Sequence, residues 1–317
     1  METKPAEDYV HNIACRLNHR GFAQTYFASC HSGLRRSDDG GATWVNALSS
    51  ISHIGNMPVT AVAVSPDLEG QALVIAAVSG GFLLSSDDGE SWGSVTLPAP
   101  LPSITCIGIS PQFATDGTIF AGTLEDGVLC SYNRGIDWVA WNFGLIDLSV
   151  LGIAVSPDFG TDGTLVIAAE TGVFLSTNGG RGWSETQLTA SFDTVLSVAF
   201  SHNYASDGVL FAGTASSGLF ATNNRGRDWA RLDGNMLHGE ISAICLSSFG
   251  LLILHNNKIL LSTDSGRSFN SLKIHSLKGV EATAICISIT HSVILVGCGG
   301  SNKDVVTIVK MTDLESA

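Results

Sequence analysis

The stretch Ser37-Asp38-Asp39-Gly40-Gly41-Ala42-Thr43-Trp44 returns as Ser86-Asp87-Asp88-Gly89-Glu90-Ser91-Trp92, and the pattern continues through most of the chain. Weaker copies close on Trp138 (SYNRGIDW), Trp183 (STNGGRGW), Trp229 (TNNRGRDW) and Phe269 (STDSGRSF), so the aromatic recurs after 48, 46, 45, 46 and 40 residues. A period of that size marks stacked supersecondary units, each of which buries its apolar face only against a neighbour.

Working outward from the hairpin, each unit begins with a short apolar strand. The starts read Ile13-Ala-Cys-Arg-Leu, Val62-Ala-Val-Ser-Pro, Ile107-Gly-Ile-Ser-Pro, Ile153-Ala-Val-Ser-Pro, Val198-Ala-Phe-Ser, Ile244-Cys-Leu-Ser and Ile285-Cys-Ile-Ser. An Asp-Gly-rich turn follows (SPQFATDGT at 110–118, SPDFGTDGT at 156–164, SHNYASDG at 201–208), then a second strand, a Gly turn, a third strand and the hairpin into a fourth. Four short strands per ~45 residues describe a propeller blade. The fold class is therefore all-β, a seven-bladed β-propeller with the Asp-Gly hairpin in six blades, and residues 1–317 are expected to form a single domain. The second residue of each first strand is small in all seven copies: Ala14, Ala63, Gly108, Ala154, Ala199, Cys245 and Cys286. Inner strands converge on the propeller axis, where only small side chains permit close approach. The seventh unit has three strands and no hairpin, and residues about 1–9 are expected to supply its missing outer strand, which removes an exposed edge.

Composition narrows the function classes. With 16 Lys+Arg against 29 Asp+Glu the formal charge is −13, which repels phosphate backbones and anionic headgroups, so neither nucleic acid nor a membrane is expected as a partner. The N-terminal segment lacks a basic stretch followed by an apolar run, so no secretory signal is read there. Seven cysteines with no CxxC pair read as reduced thiols of a cytoplasmic protein. His19 and His31 with Cys15 and Cys30 form the only local gathering of metal-ligand types, and its spacing is not that of a zinc site. No nucleotide-binding glycine loop occurs, and no cofactor is implied.

The hairpins resemble the BNR or Asp-box repeat, SxDxGxTW, of sialidases, sortilin-type receptors and photosystem II assembly factors. The resemblance covers nearly the whole chain and implies a hairpin between the third and fourth strands of a blade, on the periphery and away from the ligand face. On that reading Asp38, Asp87 and Asp264 accept turn N–H groups, while Trp44, Trp92, Trp138, Trp183, Trp229 and Phe269 cover blade edges. A ring of calcium-binding or acid/base carboxylates is the alternative for Asp38, Asp39, Asp87, Asp88 and Asp264. Asn133, Asn178 and Asn223 at the same place in three copies keep the turn and discard the charge, which favours the structural role. Sialidase chemistry, as the resemblance implies it, needs an arginine cluster, a Tyr nucleophile with a Glu partner and an Asp acid/base at the axis. Five of the ten arginines sit in the hairpin turns and the Arg-Ile-Pro signature is missing, so no catalytic residue is assigned.

Binding is expected on the opposite face, built from the connections between second and third strands and between blades. There the candidate partner-binding residues are Ile54, Met57, Leu101, Phe143, Ile146, Phe192, Met236 and His238, in an apolar and aromatic pattern suited to a protein partner. Trp141 and Leu145 are expected to fold back and cap a blade end. The function read from the sequence is a non-enzymatic scaffold that holds another protein. A glycan-processing hydrolase, a sugar-binding lectin and a photosystem assembly-factor-like chaperone are the alternatives.

Overall fold

A computed structural model describes residues 8–17, 24–51, 57–66, 72–188, 193–232, 237–247, 249–272, 274, 280–288, 293–300 and 306–310. Seven inner strands set the ring: Asp8–Leu17, Val59–Val64, Ile104–Ile109, Val150–Val155, Val195–Phe200, Ile241–Ser247 and Glu281–Ser288. Each packs beside the next, and the seventh packs beside the first, so the array closes on seven blades. Blades two to six are separate four-stranded antiparallel sheets running from the axis outward. The described helices are single turns, Phe113–Asp116, Phe159–Asp162 and Tyr204–Asp207, between first and second strands of blades three to five.

Blade seven contains Glu281–Ser288, Val293–Gly300 and Val306–Lys310. Asp8 and Tyr9, at the start of blade one's inner strand, pair with Gly300 and Gly299 beyond the end of Val306–Lys310. Asp8 and Tyr9 thus splice two blades into one seven-stranded sheet, and the rest of the segment expected to supply an outer strand, residues 1–7, lies outside the described residues. Thr283 Oγ1 reinforces the seam by donating to the Val10 carbonyl at 2.8 Å.

At Gly108 the small column has the close-approach cause expected of it. A Cβ on Gly108 would stand 3.1 Å from Val155 Cγ2 and 3.3 Å from Ile153 Cγ2, both on the next inner strand. A further regularity escaped the sequence pattern. All seven inner strands carry a register shift at the residue three places before the small one: His11, Thr60, Thr105, Leu151, Leu196, Ser242 and Thr283. Such a bulge leaves one residue unpaired and increases local twist, which turns the strand start toward the axis.

The hairpins explain themselves atom by atom. In blade one, Asp39 Oδ1 accepts the Thr43 N–H at 2.8 Å and Oδ2 accepts Thr43 Oγ1 at 2.6 Å, while Ser37 Oγ accepts the Gly41 N–H at 2.8 Å. The box residue is therefore Asp39, not Asp38. Asp38 lies one position out of phase and pairs with Arg36, which also reaches Glu90 of blade two at 2.8 Å. Likewise the blade-five residue is Asn224, not Asn223, with Asn224 Oδ1 accepting the Asp228 N–H at 2.9 Å. Asp87 and Asp264 match Asp39, each accepting the backbone N–H and the hydroxyl of Ser91 or Ser268. Where the box residue is Asn133 or Asn224, the residue four later is Asp137 or Asp228, which accepts from the amide instead. Donor and acceptor exchange sides and the turn survives.

These hydrogen bonds predict a pH signature. The hydroxyl and backbone donors of Thr43, Ser91 and Ser268 hold Asp39, Asp87 and Asp264 down to about 2. A depressed carboxylate adds stability above its unfolded pKa and loses it as pH falls through the folded value. Carboxyl carbon NMR shifts should place these three titrations near pH 2, with stability declining from about pH 4 toward 2. Titration of all three in the ordinary carboxylate range would contradict the assignment.

Candidate binding face

The hairpins and helical turns share one face, and the connections between blades lie on the other. Segment 141–149 between blades three and four passes from the edge of the blade-four hairpin, where residues 141–144 meet Trp183, to that second face, and it is tied down along its length. The Asn142 side chain accepts the Val128 N–H at 2.9 Å and donates to the Asp126 carbonyl at 2.8 Å. Gly127 N–H donates to Leu148 O at 3.0 Å, and Asp147 accepts both the N–H and the hydroxyl of Thr171 at 2.7 Å. Leu145 is buried, and Trp141 is half-buried against Tyr132 with Arg181 over its ring. Gly144 has φ of 80°, and a Cβ there would fall 2.3 Å from the Trp183 carbonyl, so glycine is required.

From this pinned backbone Phe143 and Ile146 project, 83% and 76% exposed. Leu101 is 54% exposed and covers Gly80, and Leu124 and Leu148 are 41% and 38% exposed. The Leu124 N–H donates to Ser103 O at 2.9 Å, so the loop at 101–103, the turn at 124–127 and the loop at 141–149 form one hydrogen-bonded surface. Such a face presents apolar anchors on a backbone already ordered before binding.

The eight expected partner-binding residues are not gathered into one patch. Leu101 and Ile146 share the sector over blades two to four. Phe143 lies at its outer rim, where its carbonyl accepts the Trp183 N–H at 2.9 Å. Met57 is half-buried between blades one and two, and His238 lies near blade six with Nδ1 2.8 Å from Arg231 Nη2. Ile54, Phe192 and Met236 fall outside the described residues. Asp193, on the connection between blades four and five, accepts the Ser216 and Ser217 N–H groups of its own blade. Leu124 and Leu148 were missed. The available signal was a leucine out of alternation beside a Gly turn, in Thr123-Leu-Glu-Asp-Gly.

Beside this sector the axis holds a cavity of about 620 Å³ lined by all seven inner strands, including His11, Thr60, Thr105, Leu151, Ser242 and Thr283. Among the described lining residues there is no Asp, Glu, Arg, Lys or Tyr. Arg134 and Arg225 are engaged on the opposite face, donating to the Ala114 and Ala205 carbonyls at 3.1 and 3.0 Å.

Solved structures with this architecture include YCF48 from Cyanidioschyzon merolae, with 16% identity over 98% of this chain and 97% of that one and a TM-score of 0.68. The chain folds as a β-propeller of the architecture these structures share. A structure of YCF48 bound to D1 peptide is similar at 14% identity over 96% of this chain and 93% of that one, with a TM-score of 0.67. The GH74 xyloglucanase from Xanthomonas campestris is similar at 15% identity and a TM-score of 0.69, with 95% of this chain covering 54% of the enzyme. The extracellular domain of BT4673 from B. thetaiotaomicron gives 12% identity and a TM-score of 0.71, and this chain spans 38% of its length. No protein-family model and no curated protein matches the chain. Likeness at these identities establishes the fold, which binding proteins and a hydrolase share.

Proposed function

We propose that this propeller is a non-enzymatic binding protein that holds a protein partner on the loop face over blades two to four. The observation that carries the reading is the pairing of high exposure with a fixed backbone: Phe143 and Ile146 stand in solvent on a loop whose polar groups are internally bonded. Interface anchors of this kind are apolar, preorganised and surrounded by satisfied polar groups. That a propeller of the same architecture has been solved with a bound peptide supports the protein-binding class without identifying the partner.

A glycan-processing hydrolase is the rival, favoured by the likeness to a xyloglucanase. Glycoside hydrolysis ordinarily uses two carboxyl groups about 5–9.5 Å apart flanking the bond. The described lining of the axial cavity contains neither Asp nor Glu. Incubation with a panel of fluorogenic glycosides and xyloglucan oligosaccharides is expected to give no turnover above a boiled control. Saturable turnover would replace the binding reading with the hydrolase.

A further inference from the structure

On the hairpin face, the slot between adjacent blades is filled from within at three places. Phe113 fills it between blades two and three, Phe159 between three and four, and Tyr204 between four and five. Each opens the helical turn of the later blade. The Phe159 ring meets Phe120 edge-on at 5.7 Å, and Tyr204 meets Phe200 at 4.6 Å. Arginine roofs two of the three plugs, with Cζ of Arg134 5.7 Å over Phe113 and Cζ of Arg225 5.7 Å over Tyr204.

Blade six lacks both parts. Its inner strand Ile241–Ser247 passes to Gly250–His255 through a connection too short for a helical turn, and Phe249 packs toward the core between blades six and seven. The hairpin residue matching Arg134 and Arg225 is Ser265, which shares their φ of 61°. A groove of about 650 Å³ therefore opens between blades five and six, walled by Phe211, Ala221, Leu246 and Leu251, with Phe249 also on its lining. These four occupy the positions that Val166, Leu175, Phe200 and Leu210 hold around Tyr204; alanine in place of Leu175 and leucine in place of Phe200 add room, and phenylalanine in place of Val166 takes part of it back. Asp207 and Asp228 also line it, and no Lys or Arg does among the described residues.

We infer that this groove docks an aromatic side chain of a partner polypeptide that carries an arginine or lysine beside it. The three filled slots show which chemistry the walls accept. Ser265 removes the internal cation that roofs the ring, and the two carboxylates favour a partner that brings its own. The site lies on the face opposite the loop sector and does not depend on the function proposed for that sector.

The test uses the full chain with methyl-labelled Ala and Leu, titrated with arginyl-phenylalanine amide and followed by NMR. Saturable shifts are expected at the methyls of Ala221, Leu246 and Leu251, with at least tenfold weaker binding for arginyl-alanine amide and for glutamyl-phenylalanine amide. The Ala221→Leu/Ser265→Arg double variant, which rebuilds the internal wall and roof, should retain the fold and lose the shifts. Absence of shifts at millimolar probe, equal binding of the alanine or glutamyl dipeptide, or undiminished binding by a folded double variant would each overturn the proposal.

Discussion

Replacing Trp183 by alanine should destabilise the propeller by about 3–5 kcal/mol, the cost of truncating a fully buried aromatic. Trp183 is 4% exposed, belongs to the core between blades three and four, and donates its indole N–H to the Trp141 carbonyl at 2.8 Å. It thus joins two blades in addition to covering an edge. Trp92 and Trp229 reach back in the same way, to Ala47 O at 3.0 Å and Thr186 Oγ1 at 3.2 Å. Trp44 and Trp138 are half-buried, and their indoles donate to Gly41 and Gly135 of their own hairpins. Thermal unfolding of the five Trp→Ala variants should therefore rank Trp183 first, with a melting temperature lower by roughly 10 °C at ~2–4 °C per kcal/mol. Trp183→Phe, which keeps most of the apolar burial and forfeits the hydrogen bond, should cost about 1–2 kcal/mol. A Trp183→Ala protein within about 1 kcal/mol of the parent would show that the blades are not coupled through this ring.

The second large effect is expected on the loop face. Ile146→Asp should weaken partner binding at least tenfold, because an anchor seated in a desolvated contact does not tolerate an unpaired charge. The same change should leave the melting temperature within a few degrees, since Ile146 is 76% exposed and the loop is held by Asn142 and Asp147. Capture from the native cell with the parent, Ile146→Asp and Trp44→Phe proteins distinguishes the faces. A partner retained by Trp44→Phe and lost by Ile146→Asp supports the assignment. Equal capture by all three folded proteins removes this sector from the interface.

The blade repeat, the seven starts and the small inner column were legible in the chain because each depends on neighbours within a few residues. Alternation sets which side of a strand is apolar, Asp or Asn with Gly closes a turn, and the small residue recurs at the same place in every copy. The same locality set the limits. Asp38 and Asp39 are chemically alike, and only the bonds to Thr43 show which one closes the hairpin. Phe143, Met57 and His238 all read as apolar or polar loop anchors, yet their exposure and position follow from how neighbouring blades pack. Leu124 and Leu148 became visible only when three connections were seen to share hydrogen bonds.

By itself, then, the sequence determined that four-stranded units stack around an axis and where each one begins, since strand period and turn chemistry are written in adjacent residues. The tertiary structure alone decided three things. It showed that Asp8 and Tyr9 splice the first blade onto the seventh, that all seven inner strands bulge toward the axis, and that the slot between blades five and six stands open. Each is a relation between residues far apart in the chain, set by the geometry of ring closure and by what the next blade presents, and no local pattern carries it.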